Sequence, residues 1–150
     1  LCTPAEIRRY RKRISAPLWD RFDLFVELTP VNPGELPNLA AGETPTAPAE
    51  LRAEIAHLRE RQRHRNRREN WGAVVNGRLS LRALRTGLGI TEEAAALLQR
   101  ACRVLGLSLR GYHRVLKVAR TIADLADSPQ IHAEHLAEAL QYRQPLLDHA

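Results

Sequence analysis

The chain has 150 residues and a formal charge of +6, carried almost wholly by arginine, since Lys12 and Lys117 are its only lysines. That length suits one ordinary domain, or a small domain with a piece of another, and no apolar run is long enough to span a bilayer. Cys2 and Cys102 are too few for a disulfide framework and no Cys/His spacing suggests a metal site, so a reducing cytoplasm is the expected setting.

A basic balance favours a polyanionic partner, although arginine-rich genomes also yield basic proteins without one. The sequence starts at Leu1, without a methionine or a signal peptide. A chain beginning in mid-pattern is expected to be a fragment of something larger.

Pro4 to Arg13 reads as a short helix, with Thr3 as a cap, Pro4 at a favourable first-turn position, and Ile7 and Tyr10 as an apolar edge. Pro17 breaks the pattern, and Leu18 to Phe22 follows as a tight second turn. Asp23 to Leu28 has the β-branched and aromatic content of one strand. A lone strand cannot satisfy its ladder, so its sheet partners are expected upstream. Residues 29–49 carry Pro30, Pro33, Pro37, Pro45 and Pro48 and read as a linker.

From about Ala49 to Arg68 the pattern turns helical, with a narrow apolar stripe of Leu51, Ile55 and Leu58. It then becomes the most basic stretch of the chain, containing Arg59, Arg61, Arg63, Arg65, Arg67 and Arg68. Such a run could track a nucleic-acid backbone, releasing counterions from each neutralised phosphate. A solvated helix end without a core is the equal alternative.

Trp71 to Leu79 reads as a loop. Helices are expected from Ser80 to Thr86, from the cap Thr91 to Leu105 with Leu97, Leu98, Ala101, Val104 and Leu105 as its buried face, from Leu109 to Ala126, and from Ile131 to Arg143 with Leu136, Ala139 and Leu140 apolar. In the third of these, Gly106 closes the preceding helix and Ser108 caps the next. Leu109, Tyr112, Leu116, Ala119, Ala123 and Ala126 share one side, while Arg110, Arg114, Lys117 and Thr121 share another. The cationic side is either a solvated face or a row held over a phosphate, and periodicity alone favours the first. His132 and His135 could pair on a metal, but no third ligand is in view.

No glycine-rich phosphate loop, dinucleotide fingerprint or nucleophile set is present. The chain therefore has no complete active site of its own, only arginines on helices of the kind that stabilise a transferring phosphoryl group.

Several stretches resemble a known family. They are Cys2 to Tyr10, Arg13 to Leu24, Arg61-Gln62, Asn76, the run Gly106 to Leu125, and Ile131 with His135 to Arg143. Together they resemble the C-terminal part of the bacterial ComM/YifB group of magnesium-chelatase-like AAA+ ATPases. The resemblance implies a mainly α fold: a helical lid bundle preceded by a truncated piece of the AAA+ α/β core with one short strand. The implied divisions are core piece 1–28, Pro-rich linker 29–49, basic helix 50–70 and helical lid 76–143.

The family implies an ATP-driven ring, usually a hexamer, with ATP and Mg²⁺ between subunits. Arg21 matches the arginine finger that reaches a neighbour's γ-phosphate, with Arg13 as the fallback, and Arg110 matches the sensor-2 arginine of the lid. Relatives of the ComM type act on DNA branches in natural transformation, whereas chelatase relatives drive metal insertion into a porphyrin. The phosphate loop and the acidic Mg²⁺ strand would lie upstream, so this stretch alone is expected to hold neither nucleotide nor metal and to be inactive. Ala16 and Trp19 depart from the family's usual glycine and leucine, and Trp19 could alter the subunit contact. A stand-alone DNA-binding helical module is the rival reading, and a chelatase subunit is the third.

Overall fold

The computed structural model describes residues 3–11, 13–28, 30, 48–86 and 88–143. The Pro-rich linker expected over 29–49 lies almost wholly outside them. Among the described residues the chain is mainly helical: α1 (Pro4–Arg11), α2 (Ala16–Trp19), α3 (Ala49–Arg68), a 3₁₀ turn (Asn76–Arg78), α4 (Leu81–Thr86), α5 (Glu92–Leu105), α6 (Leu109–Leu125) and α7 (Ala133–Gln141).

The helix ends are set by local chemistry. Thr91 caps α5 by accepting from the Ala94 N–H at 3.3 Å, and Ser108 caps α6 by accepting from the Gly111 N–H at 3.0 Å. Gly106 closes α5 in the left-handed region at φ 57°, where a side chain would be strained. His132 and His135 form a capping box at the start of α7, with the His132 N–H donating to His135 Nδ1 at 3.1 Å. That lone pair is spent on the backbone, so the pair serves the helix end.

Helix α6 is the centre: α3, the 3₁₀ turn, α4 and α7 all pack on it, and α5 packs on α7. Val115, Leu116, Ala119 and Ala123 of α6 meet Leu98 of α5, Leu136 and Ala139 of α7, and Ala83 and Leu84 of α4 in one apolar cluster. A parallel bridge, Ile90 with Ile131, ties the starts of α5 and α7, with the Ile131 N–H donating to the Gly89 carbonyl at 2.7 Å.

Three expectations need correction. Asp23 to Leu28 forms no strand: no neighbouring strand is present among the described residues, and the Phe25 N–H instead donates to the Tyr142 carbonyl at 2.9 Å. Leu109 and Ala126 lie at the two ends of α6 and are exposed, as is Val104 near the end of α5. The stripe Leu51 and Ile55 is also exposed, because α3 docks through its polar second half.

Candidate functional site

The turn after α2 carries Arg21. The Arg21 N–H donates to the Leu18 carbonyl and the Phe22 N–H to the Trp19 carbonyl, closing a tight loop on α2. Trp19, Phe22 and Phe25 pack as a triad with ring centroids 5.5 to 6.1 Å apart. Trp19 is thus occupied in holding the turn's apolar side. Arg21 itself is exposed, and no ion pair among the described residues engages it. Its sequence neighbour Asp20 pairs with Arg143 at 3.5 Å rather than with Arg21. Arg13, the fallback, is exposed and stacks over the Tyr10 ring at 5.9 Å.

Arg143 follows α7 and is 1 % exposed. Its Nη1 donates to the Phe22 carbonyl at 2.7 Å, and its guanidinium lies 5.7 Å from the Phe25 ring centroid. The contact with Asp20 is an ion pair without hydrogen-bond geometry, so Nε and Nη2 lack hydrogen-bond partners among the described residues. Burial pulls this guanidinium below the usual arginine range, with Asp20 opposing the shift.

On α6 the cationic row is mostly engaged. Arg114 forms an ion pair with Asp23, Lys117 donates to the Gly77 carbonyl at 3.0 Å, and Thr121 accepts from Asn76 at 3.1 Å. The face that periodicity read as solvated is therefore covered by the 3₁₀ turn and by the segment after α2. Arg110, at the exposed first turn, is the member of that row with neither an ion pair nor a side-chain hydrogen bond among the described residues. A groove of about 340 Å³ between α4, α5 and α6 is lined by Leu84, Leu88, Leu98, Leu109, Tyr112 and His113, with neither arginine nor lysine among the described lining residues.

The basic helix divides in two. Arg61 pairs with Asp127 and Arg65 with Asp124, both at the end of α6. Asp124, 4 % exposed, also accepts from Arg120 Nε at 3.0 Å and from Asn76 Nδ2 at 2.7 Å. Gln62 accepts from the Asn76 N–H at 3.2 Å, and Asn66 donates to the Val74 carbonyl at 2.7 Å. Arg120, 2 % exposed, additionally donates to the carbonyls of Leu88, Ser128 and Pro129. Burial lowers its pKa and Asp124 opposes the shift. Arg65 and Arg120 are thus built into the joint through the buried Asp124, whereas the Arg61–Asp127 pair lies exposed.

Arg59, Arg63 and Arg67 repeat every fourth residue and so share one side of α3. Arg63 has an exposed pair with Glu60 at 3.2 Å and Arg68 one with Glu69 at 3.5 Å, while no ion pair among the described residues engages Arg59 or Arg67. Exposed pairs of this kind are weak and do not prevent exchange onto a phosphate.

Sequence reasoning gave no role to Gln62, Asn76 or Arg143, although all three fall in the motif stretches. A glutamine and an asparagine in otherwise cationic or loop sequence, placed within a specific motif, are the signal of a buried polar joint. The exposed guanidinium groups of Arg21 and Arg110 are of the chemistry that pairs with phosphate oxygens. The sequence offers no phosphate loop, and no cluster of three metal-ligating side chains occurs among the described residues.

The family described as magnesium chelatase, subunit ChlI C-terminal matches residues 46–143, and the one described as magnesium chelatase, subunit ChlI matches residues 1–36. The competence protein ComM of Haemophilus influenzae is 39% identical over 141 residues, covering 94% of this chain and 26% of that protein. The uncharacterized protein YifB of Escherichia coli is 38% identical over 143 residues, covering 95% and 26%. An uncharacterized protein of Mycobacterium tuberculosis, Rv2897c, is 35% identical over 145 residues, covering 96% and 27%. The chain thus spans about a quarter of the length of these curated relatives.

Proposed function

The chain belongs to the magnesium-chelatase-like family of the ComM/YifB type, and from that premise we propose that it supplies two arginines to an ATPase completed by other parts of the protein. Arg21 acts as a finger on the γ-phosphate held by a neighbouring subunit of a ring. Arg110 acts as the sensor on the helical lid, the bundle of α4 to α7. ATP with Mg²⁺, when bound, provides the phosphoryl group whose transfer these cations stabilise. A guanidinium suits both tasks because it stays charged and forks toward phosphate oxygens.

One observation carries this reading. In the motif stretches 13–24 and 106–125, ion pairs engage Arg114 and Arg120, while Arg13, Arg21 and Arg110 stand exposed with no carboxylate paired to them among the described residues. Arg21 is favoured over Arg13 because its turn is held on both sides of it, at Asp20 and at Phe22. In the full-length protein, Arg21→Ala should lower ATP turnover on the order of a thousandfold, as loss of a finger does elsewhere. Arg110→Ala should lower turnover with the fold intact by circular dichroism. Unchanged turnover in both variants would remove the assignment.

A second activity, DNA binding by α3, is favoured by the row Arg59, Arg63 and Arg67, and competence in the name of the Haemophilus relative is in keeping with it. Replacing all three by glutamine should flatten the logarithmic salt dependence of DNA affinity by about two to three. Arg65→Gln should weaken the fold while leaving that slope nearly unchanged. Equal slopes for the triple variant and the parent would exclude this face.

A further inference from the structure

The buried guanidinium of Arg143 touches both segments that carry the exposed arginines. On one side it holds the Phe22 carbonyl at 2.7 Å and faces Asp20 at 3.5 Å, the two residues flanking Arg21. On the other side Nη2 lies against Gly111, the residue after Arg110: a Cβ there would come within 3.3 Å of it. The same Cβ would sit 3.6 Å from Ser108 Oγ, the cap that starts α6. Gly111 is thus the residue whose missing side chain admits Arg143 to the first turn of α6.

Two more links run in parallel. Arg114, one turn along α6 from Arg110, pairs with Asp23, and the Phe25 N–H donates to the carbonyl of Tyr142, next to Arg143. The segment 20–25 is therefore gripped from α6 and from the end of α7. Apolar burial alone does not explain the choice of residue. A buried arginine with two nitrogens lacking hydrogen bonds is costly, and a leucine would fill space more cheaply.

We propose that Arg143 is a positioning residue that couples the lid to the finger: by contacting Gly111 and the Asp20–Phe22 turn together, it transmits a displacement of the Arg110 turn to Arg21. Nucleotide read by Arg110 then sets the reach of Arg21 toward the neighbouring subunit. The idle Nε and Nη2 donors allow the guanidinium to exchange hydrogen bonds with Asp20 as the two segments shift. This inference rests on the roles proposed above for Arg21 and Arg110.

The test is steady-state ATP hydrolysis by the full-length protein, with Arg21→Ala as reference. Arg143→Met should lower kcat by ~10- to 100-fold, the cost of a small misplacement of a catalytic group, and leave KM for ATP within about twofold. Mixing supplies the readout that a merely structural role would not move. Arg143→Met subunits titrated into unaltered protein should depress turnover along the same curve as Arg21→Ala subunits, because both spoil the neighbour's site. Should Arg143→Met not assemble by sedimentation, Arg143→Lys and Gly111→Ala decide, since each keeps the cation and disturbs only its fork or its seat. If Arg21→Ala abolishes turnover while the Arg143 and Gly111 variants match the parent, the coupling is overturned and the finger stands. If Arg21→Ala itself turns over normally, the finger reading falls and the coupling falls with it.

Discussion

Removing the Asp124 carboxylate should be among the costliest single changes in this chain. Asp124→Ala deletes the acceptor shared by Arg65, Arg120 and Asn76 and leaves Arg120, 2 % exposed, as a buried cation without a counter-charge. Stranding one member of a buried pair costs about 3–5 kcal/mol, a large share of the roughly 5–15 kcal/mol that holds a domain folded. Arg65 adds less because its side chain keeps 26 % of its surface in water. With a urea slope near 2 kcal/mol/M, the unfolding midpoint should fall by about 2 M. Arg65→Gln alone should cost roughly 1 kcal/mol, and combining it with Asp124→Ala should add less than the sum, since both act on one contact. Urea melts followed by circular dichroism measure all three. A midpoint for Asp124→Ala within about 0.5 M of the parent, or strict additivity with Arg65→Gln, would refute the claim that this carboxylate balances the joint.

Two glycines separate backbone strain from crowding. Gly106→Ala should cost about 1 kcal/mol, since φ is 57° and an added Cβ meets nothing within 4 Å. Gly89→Ala should cost more in the same urea assay, because φ is 63° and the Cβ would also press the Pro129 carbonyl at 3.2 Å. Burial raises the pKa of the Cys102 thiol, with Arg103 opposing, so less thiolate is present at any given pH than in a free cysteine. In a Cys2→Ser background, alkylation by iodoacetamide should rise with pH along a curve displaced upward from that of an exposed thiol, and Arg103→Ala should displace it further. An ordinary alkylation curve would contradict the packing assigned to Cys102.

Legibility in the sequence followed the range of the force involved. Caps and stops depend on neighbours within four residues, so Thr91, Gly106 and Ser108 could be read directly, as could the α5 and α7 core positions Leu98, Ala101, Leu136 and Ala139. The opposite side of α6 could not. Arg114, Lys117 and Thr121 look like a solvated row at helical spacing, yet Asp23, Gly77 and Asn76 reach them across 91, 40 and 45 residues. Periodicity cannot distinguish a charge facing water from one facing a distant polar partner. Likewise Leu51 and Ile55 look like an anchor and are exposed, while Gln62 and Asn66, which carry no hydrophobic signal, are the buried residues of α3. The candidate arginines Arg21 and Arg110 came from motif resemblance. The geometry around them, centred on Arg143, depends on a contact spanning 121 residues and leaves no periodic trace.

The joint between α3 and α6 has a consequence for the orientation of the basic row. Oily ridges can slip past one another by a notch at little cost, but Gln62 and Asn66 each need one partner at one angle. The joint therefore acts as a key in a slot, fixing the azimuth of α3 as well as its depth. Arg63 and Arg67 inherit that azimuth through the helical repeat, and so does Arg59 three residues before the key. Inserting one residue between Arg59 and Arg61 would leave the key seated and swing Arg59 by about 100°, out of line with Arg63 and Arg67. A polar joint of this kind serves a helix whose outward side must face one direction.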